Sequence, residues 1–434
     1  KINDNFNPDL DVKLTAKSLS MEILPGPTTQ VHSFRHELIS GDSNAVQDVE
    51  NSYLGPIFRV KTGDKVRIRF SNEIERESVI HWHGLHVPPE MDGHPRYAIP
   101  PGQEFIYEFE VVDRAGTYWF HPHPDKITGP QVYQGLAGMF LVSDPEEDGL
   151  DLPSGKYELP LIIQDRTFTD NNQLVYDQGQ MNQMMGFLGD QILINGQSIQ
   201  QMEVEQATYR FRVLNGSNSR IYKLALSNGQ PITVIGTDGG LLEQPEELPY
   251  LMLAPGERYD LWIDFSSLSA ANSVTLKSLS FNAGMMMGNM GMMGDRGMGM
   301  GGMMQGQSAI PNGSEFDIIQ FKINDQKGIQ KTLPAKLSTI KKYDVSTASN
   351  QDSPRTFNFF MDQMQWTING ETFEMEEAAD WETVKLGTKE VWEFINGNSQ
   401  MGMMGGDNGM MSNRGRGMMG QDEKMNAATG IFVS

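Results

Sequence analysis

The sequence predicts an all-β protein built from tandem sandwich-type domains. Three observations carry this. Short runs of alternating apolar and polar residues recur along the chain, as in 65–70, 105–109, 209–214 and 391–395, with Gly, Pro, Asn and Asp between them. Such alternation marks half-buried strands, and the intervening residues favour turns. No long amphipathic helical pattern stands out, and one strand–turn–strand unit repeats. With 434 residues the chain is long enough for two to four domains.

The repeat is legible in three places. Residues 58–72 and 384–396 both read as a strand, a turn and a second strand that closes on an asparagine, Asn72 and Asn396. Residues 209–215, ending Arg212-Val213-Leu214-Asn215, look like the second half of a third copy. Turn-rich and polar residues collect at 144–157 and 322–352. The expected domains are therefore 1–149, 150–325 and 326–434.

The chemistry sits in the first domain. All eight histidines precede residue 124, and four form two HxH motifs, His81-Trp82-His83 and His121-Pro122-His123. In a strand, residues i and i+2 share a face. His81 and His83 are thus expected to project together, with Ile80 and Trp82 on the other side. The second motif repeats the pattern on 116–123, where Pro122, lacking an N–H, predicts a strand that is at an edge or ending. A lone HxH reads most simply as two surface histidines. Two on aromatic-rich strands shift the balance toward metal: if the strands are neighbours, four imidazoles converge, a ligand type that suits copper, zinc, iron and nickel.

The chain carries 34 basic and 56 acidic residues, a net charge of −22, and no basic run. That argues against nucleic acid and anionic membranes as partners. No apolar run is long enough for a transmembrane helix. The opening Lys1-Ile2-Asn3-Asp4-Asn5 is polar and lacks the apolar core of a leader, so the chain reads as mature or trimmed. Cysteine is absent, which removes disulfides, thiol nucleophiles and thiolate metal sites from this sequence. Every histidine has a metal or neutral reading, so no Ser/His/Asp set emerges, and no phosphate-binding glycine motif is present.

Methionine is abundant, 29 residues, and uneven. Residues 284–307 and 400–420 are Met/Gly-rich and have no period that would bury a core. One reading is flexible loop. The other is a collector of Cu(I), since thioether sulfur selects that ion.

Taken together these motifs resemble the bacterial multicopper oxidases, the group of laccases and cuprous oxidases. The resemblance rests on His81-Trp82-His83-Gly84-Leu85-His86-Val87-Pro88 and Gly116-Thr117-Tyr118-Trp119-Phe120-His121-Pro122-His123. It continues through Ile194-Asn195-Gly196, Gly236-Thr237-Asp238-Gly239-Gly240, Leu253-Ala254-Pro255-Gly256-Glu257-Arg258 and Trp366-Thr367-Ile368-Asn369-Gly370. It covers roughly residues 40 to 396. It implies tandem cupredoxin-like Greek-key β-sandwiches and copper as cofactor. It implies that His81 serves a type 2 copper, and that His83, His121 and His123 serve a type 3 pair. Asp92, nine residues beyond His83, matches a family acid that relays protons, although Met91-Asp92-Gly93 is equally compatible with a simple turn. His86 and His94 have no family counterpart among the ligands, and His32 and His36 receive no role. Periplasmic or extracellular location is what the family implies.

The sequence also departs from the family. The HPxHxHG and HCHxxxH motifs of the third domain, which complete the cluster and build the cysteine-ligated site, have no match here. After Asn396 the chain runs into the second Met/Gly segment, and its final residues 430–434 resemble the family's last strand. The third sandwich is therefore expected to be incomplete. Three functions follow. One is a laccase-like or cuprous oxidase, oxidising a small-molecule reductant with O2, whose other half-site comes from a missing segment or a partner chain. Another is a protein that binds, sequesters or delivers copper. The last is a metal-independent scaffold, against which the four retained histidines speak. As written, the chain is expected not to be a competent four-copper oxidase on its own.

Overall fold

In a computed structural model the chain is described over residues 2–177, 179, 182, 186–283, 308–362, 365–396 and 429–433. Both Met/Gly-rich segments, 284–307 and 400–420, lie outside the described residues. The chain divides into two compact units, Lys1–Ile340 and Lys341–Ser434.

The first unit opens with two sheets. One joins β1 (Leu10–Met21), β2 (Thr29–Ser40), β5 (Lys65–Asn72) and β7 (Glu104–Glu110) in the order β2-β1-β5-β7. The other joins β3 (Val46–Gln47), β4 (Ile57–Lys61), β6 (Ile80–His83), β8 (Gly116–Pro122) and β9 (Gly138–Ser143) in the order β3-β4-β9-β8-β6. Their inner faces bury Val12, Leu14, Phe34, Phe58, Phe70, Trp82, Tyr107, Phe109, Phe120 and Phe140 in one core. A short helix, α1 (Thr128–Gln134), links β8 to β9.

Two further sheets complete this unit. One contains β10 (Glu158–Phe168), β11 (Leu174–Val175), β12 (Gln191–Ile194), β14 (Thr208–Asn215), β16 (Ile232–Thr237), β17 (Gly240–Leu248) and β19 (Arg258–Asp264). The other contains β13 (Gln201–Gln206), β15 (Tyr222–Leu226), β18 (Leu251–Leu253), β20 (Ser273–Ser278) and β21 (Phe316–Lys327). They share a second apolar core around Phe211, Leu224, Leu253 and Phe321. The described part of the second unit is one sheet, with β23 (Gln365–Ile368), β22 (Arg355–Asp362), β24 (Lys389–Asn396) and β25 (Thr429–Val433) in that order.

The repeat read from the sequence is a repeat of topology. In each copy a strand pairs antiparallel with one neighbour and parallel with a later strand: β2-β1-β5, β12-β10-β14 and β23-β22-β24. The closing asparagine has a physical task. The Asn72 amide donates to Arg76 O (2.8 Å) and Ile99 O (2.9 Å) while its oxygen accepts from Ile74 N. Asn215 repeats this with Arg220 O, Leu253 O and Ser217 N. The two Ile-Asn-Gly turns are also equivalent. Asn195 and Asn369 stand at φ 52° and 54°, a left-handed conformation that Asn tolerates better than most residues. Each amide oxygen accepts from a strand N–H, Ile162 or Asn358, and each amide nitrogen donates to a strand carbonyl, Pro160 or Thr356.

Two local expectations change. Strand β8 ends at Pro122 as expected but is not an edge, because it lies between β9 and β6. Pro122 is the last residue of the strand, so its missing N–H costs the ladder little. Strand β14 is not half-buried. All eight of its residues are buried, including Arg210 and Arg212. These charges are tolerated because Glu147, Glu158 and Asp260 meet them in a buried ion-pair network.

Candidate metal centre

The first HxH lies on β6, at one edge of the five-stranded sheet. Its alternation is realised: Ile80 and Trp82 are fully buried, while His81 and His83 are partly exposed. Trp82 anchors the strand, with ring centroids 5.3–5.9 Å from those of Tyr107, Phe109, Phe120 and Phe140. The Ile80 N–H donates to the Tyr107 hydroxyl at 2.8 Å, fixing the strand's entry. The second HxH sits at the end of β8, the antiparallel neighbour, in a register that sets His81 opposite His121 and His83 opposite Trp119. His123 follows the strand and donates its N–H to Val79 O at 3.0 Å.

All four imidazoles meet. His81 lies 5.4–5.6 Å from His83, His121 and His123, ring centroid to centroid, and His83 lies 5.4 Å from His121. Ligand atoms of His81, His83 and His121 all lie within 4.8 Å of one another. His123 stands beside them on the exposed side.

Hydrogen bonds decide which nitrogen of each ring is free. His81 Nδ1 donates to the Asp92 carbonyl at 2.7 Å, and His121 Nδ1 to the Pro122 carbonyl at 2.9 Å, leaving both Nε2 atoms for a ligand role. His83 is turned the other way, with its Nδ1 3.2 Å from His121 Nε2. Two nitrogens each about 2.0–2.1 Å from one ion at a near-tetrahedral angle stand roughly 3.3 Å apart. The His83–His121 pair fits a single shared ion.

The electrostatics favour neutral rings, the form that binds metal. Burial, the Arg258 guanidinium and the neighbouring imidazoles push His83 down to about 3. Burial and the imidazoles of His81, His83 and His123 push His121 well below its usual value. His81 differs. Burial pulls it down, but the hydrogen bonds and charge of Asp92 outweigh this and its pKa ends above normal. Asp92 Oδ1 is 3.2 Å from His81 Nδ1, so the acid singled out in the sequence lies against the cluster.

The other histidines are occupied elsewhere. His86 Nδ1 and main-chain N–H both bond the buried Asp113 carboxylate, His36 pairs with Asp48, and His32 approaches Glu75. His94 Nδ1 accepts from Arg96 N at the start of a short helical turn.

Three contributors carried no assigned role in the sequence. Trp119 packs in tilted contact with His121 (4.3 Å, 35°) and His83 (5.0 Å, 32°). Gly256, at φ +81°, lies next to the pair: a Cβ there would make van der Waals contact with His83 at 3.4 Å and Trp119 at 3.5 Å. Arg258 stands two residues on. The signal available was the Leu253–Arg258 motif itself, which is far from the histidines in sequence.

Comparisons with known proteins identify the family. Two multicopper oxidase family models match, over residues 30–147 and 158–275. A multicopper oxidase of Staphylococcus aureus is 36% identical over 241 residues, covering 56% of this chain and 53% of that protein. The chain thus spans about half the length of the staphylococcal relatives it matches. A laccase of Bacillus stratosphericus is 30% identical over 388 residues, covering 79% of this chain and 70% of that one. The McoA multicopper oxidase of the hyperthermophile Aquifex aeolicus superposes with a TM-score of 0.73 at 34% identity, over 90% of this chain and 79% of that structure. The chain therefore belongs to the multicopper oxidase family, whose proteins bind copper.

Proposed function

We propose that His81, His83, His121 and His123 hold copper as the first-domain half of a laccase-like or cuprous oxidase centre, and that the chain by itself does not reduce O2 to water. The observation that carries the reading is the convergence of His81, His83 and His121 with His123 beside them, the Nε2 atoms of His81 and His121 being left free by the hydrogen bonds at their Nδ1 atoms. On this reading residues 1–149, 150–325 and 326–434 are three cupredoxin-like domains, the third incomplete. Bound copper would supply one-electron redox chemistry and a place for O2.

The chain's own residues set the conditions for that chemistry. The Asp92 carbonyl orients His81, and the Asp92 side chain, 3.2 Å from the same ring, would pass protons toward the cluster. Trp119, itself buried, packs against the rings of His83 and His121. Four-electron reduction of O2 needs more ligands than four imidazoles supply, and no cysteine is present to accept electrons from a small-molecule reductant. A partner chain or a further segment would complete the site. The Met/Gly-rich segments would bring Cu(I) to it, in a periplasmic or extracellular setting. The second reading, a copper-sequestering or delivery protein, is favoured by one observation: among the described residues the histidine cluster is the single metal-ligand group.

Copper per chain after reconstitution and desalting tests this, with O2 uptake measured alongside. About one or two coppers, no blue colour and no turnover is the expected result for the chain alone. Roughly four coppers with a blue colour would overturn the half-site reading, because these imidazoles cannot supply such a set. No copper retained would favour the metal-independent scaffold.

A further inference from the structure

Arg258 begins β19, in a different sheet from the histidines, and its guanidinium is buried. Its contacts run to both sides of the quartet. Nε donates to Thr117 O at 3.0 Å, on β8, two residues before Trp119 and four before His121. Nη1 donates to Gly256 O at 3.0 Å, the glycine whose backbone lies against His83 and Trp119. The Asp238 carboxylate (2.9 Å) and carbonyl (3.2 Å) hold the same group in place. Nη2 presses on Gly84, the residue after His83: a Cβ at Gly84 would stand 2.7 Å from it, and Gly84 has φ +93°. The arginine fork is thus wedged between the strand that carries His121 and the turn that ends the strand carrying His83. Its donors are rigid and planar, a geometry that lysine cannot reproduce.

We infer that Arg258 is a positioning residue of the copper site, which fixes the His83–His121 pair and biases bound copper toward the cuprous state through its buried positive charge. The inference rests on the reading that the quartet holds copper. Its two parts are separable. The fork sets the relative placement of β8 and the Gly84 turn, and so the ligand geometry. The charge acts through a protein interior where screening is weak, and a nearby cation disfavours Cu(II) more than Cu(I). Asp238, whose side chain is half exposed, partly offsets that charge.

The test uses the full chain loaded with copper, wild type against three variants, read by copper per chain, mediated redox titration and Cu(II) electron paramagnetic resonance. Arg258→Met should keep the copper stoichiometry and lower the preference for Cu(I) about tenfold, a potential lower by about 59 mV for one electron. Arg258→Lys keeps the charge and loses the fork, so its potential should stay near wild type while its Cu(II) spectrum changes. Asp238→Asn keeps the Thr117, Gly256 and Asp238 carbonyls that bind the arginine and removes the offsetting negative charge, so it should raise the potential; it and Arg258→Lys carry the test if Arg258→Met does not fold. Potentials and spectra identical to wild type in these variants would overturn the inference. A wild-type chain that takes up no copper would instead overturn the reading on which it stands.

Discussion

Replacing Glu158 by Gln removes one charge from the middle of the buried network beside β14. Glu158 Oε1 accepts from Arg212 Nε at 2.7 Å and Oε2 from Arg59 Nη1 at 2.7 Å. Burial works to raise this carboxyl, but Arg212, Arg210 and Arg59 outweigh it and hold it at about 2, against an ordinary 4.5. A group whose folded pKa is depressed contributes stability that is fully present above the unfolded value and is lost as pH falls through the folded one. At ~1.4 kcal/mol per unit, the shift corresponds to about 3 kcal/mol at pH 7, about 2 kcal/mol at pH 3.5, and little below pH 2. The size agrees with the roughly 3–5 kcal/mol lost when one partner of a buried pair is removed. Urea titration followed by tryptophan fluorescence, wild type against Glu158→Gln, measures the difference at pH 7 and pH 3.5. Equal midpoints at pH 7, or a gap that widens on acidification, would refute the assignment. The effect should also reach the metal centre, because Arg212 donates to Thr117 Oγ1 on β8 at 3.1 Å.

Three more perturbations follow from the geometry. Gly93→Ala should lower copper affinity at least about tenfold by isothermal titration, since Gly93 has φ +78° and a Cβ there would stand 2.1 Å from Ile80 O on the histidine strand; unchanged affinity would show that β6 yields freely. Asp92→Asn keeps the main-chain acceptor for His81 but removes the charge that raises its pKa, so copper binding should weaken less between pH 7.5 and pH 6 than in wild type, where His81 must give up a proton; parallel pH profiles would count against it. Asn195→Ala and Asn369→Ala each remove two hydrogen bonds at a left-handed residue and should each cost about 1–3 kcal/mol in denaturant melts, a similar loss at both sites being the mark of equivalent turns.

What was readable in the sequence was local. The face shared by His81 and His83, the end of β8 at Pro122 and the asparagine that closes each repeat all depend on spacing over a few residues. What was not readable depends on contacts between distant segments. Arg210 and Arg212 alternate with Phe211 and Val213 as a solvent-facing strand would, and only the arrival of Glu147, Glu158 and Asp260 makes them interior. Trp119 reads as one aromatic among several until the register sets it against His83 and His121. Arg258 is 135 residues from His123, and no pattern in either segment announces the other. Asp92 lies between: the sequence placed it near the site by resemblance, while the main-chain bond that it gives His81 is a property of the fold.

Three sheets with one topology in one chain create a sorting problem during folding. Each copy must close a parallel pair across a long gap, Leu10 with Val66, Glu158 with Arg210 and Arg355 with Trp392, and a strand could recruit the wrong copy's partner before its own arrives. The charges beside these pairs act as a key. In the first copy an acid on the leading strand, Asp11, meets Arg67 and Arg69 on its later parallel partner, and in the second Glu158 meets Arg210 and Arg212. In the third the signs are exchanged, with Arg355 on the leading strand against Glu390 on the later one. Exchange of the third copy's leading strand with either of the others would bring arginine toward arginine, or acid toward acid, where solvent is largely excluded. Like charges so placed are penalised, so the third copy is steered to itself, and swaps between the first two are left as the pairing error to look for in refolding.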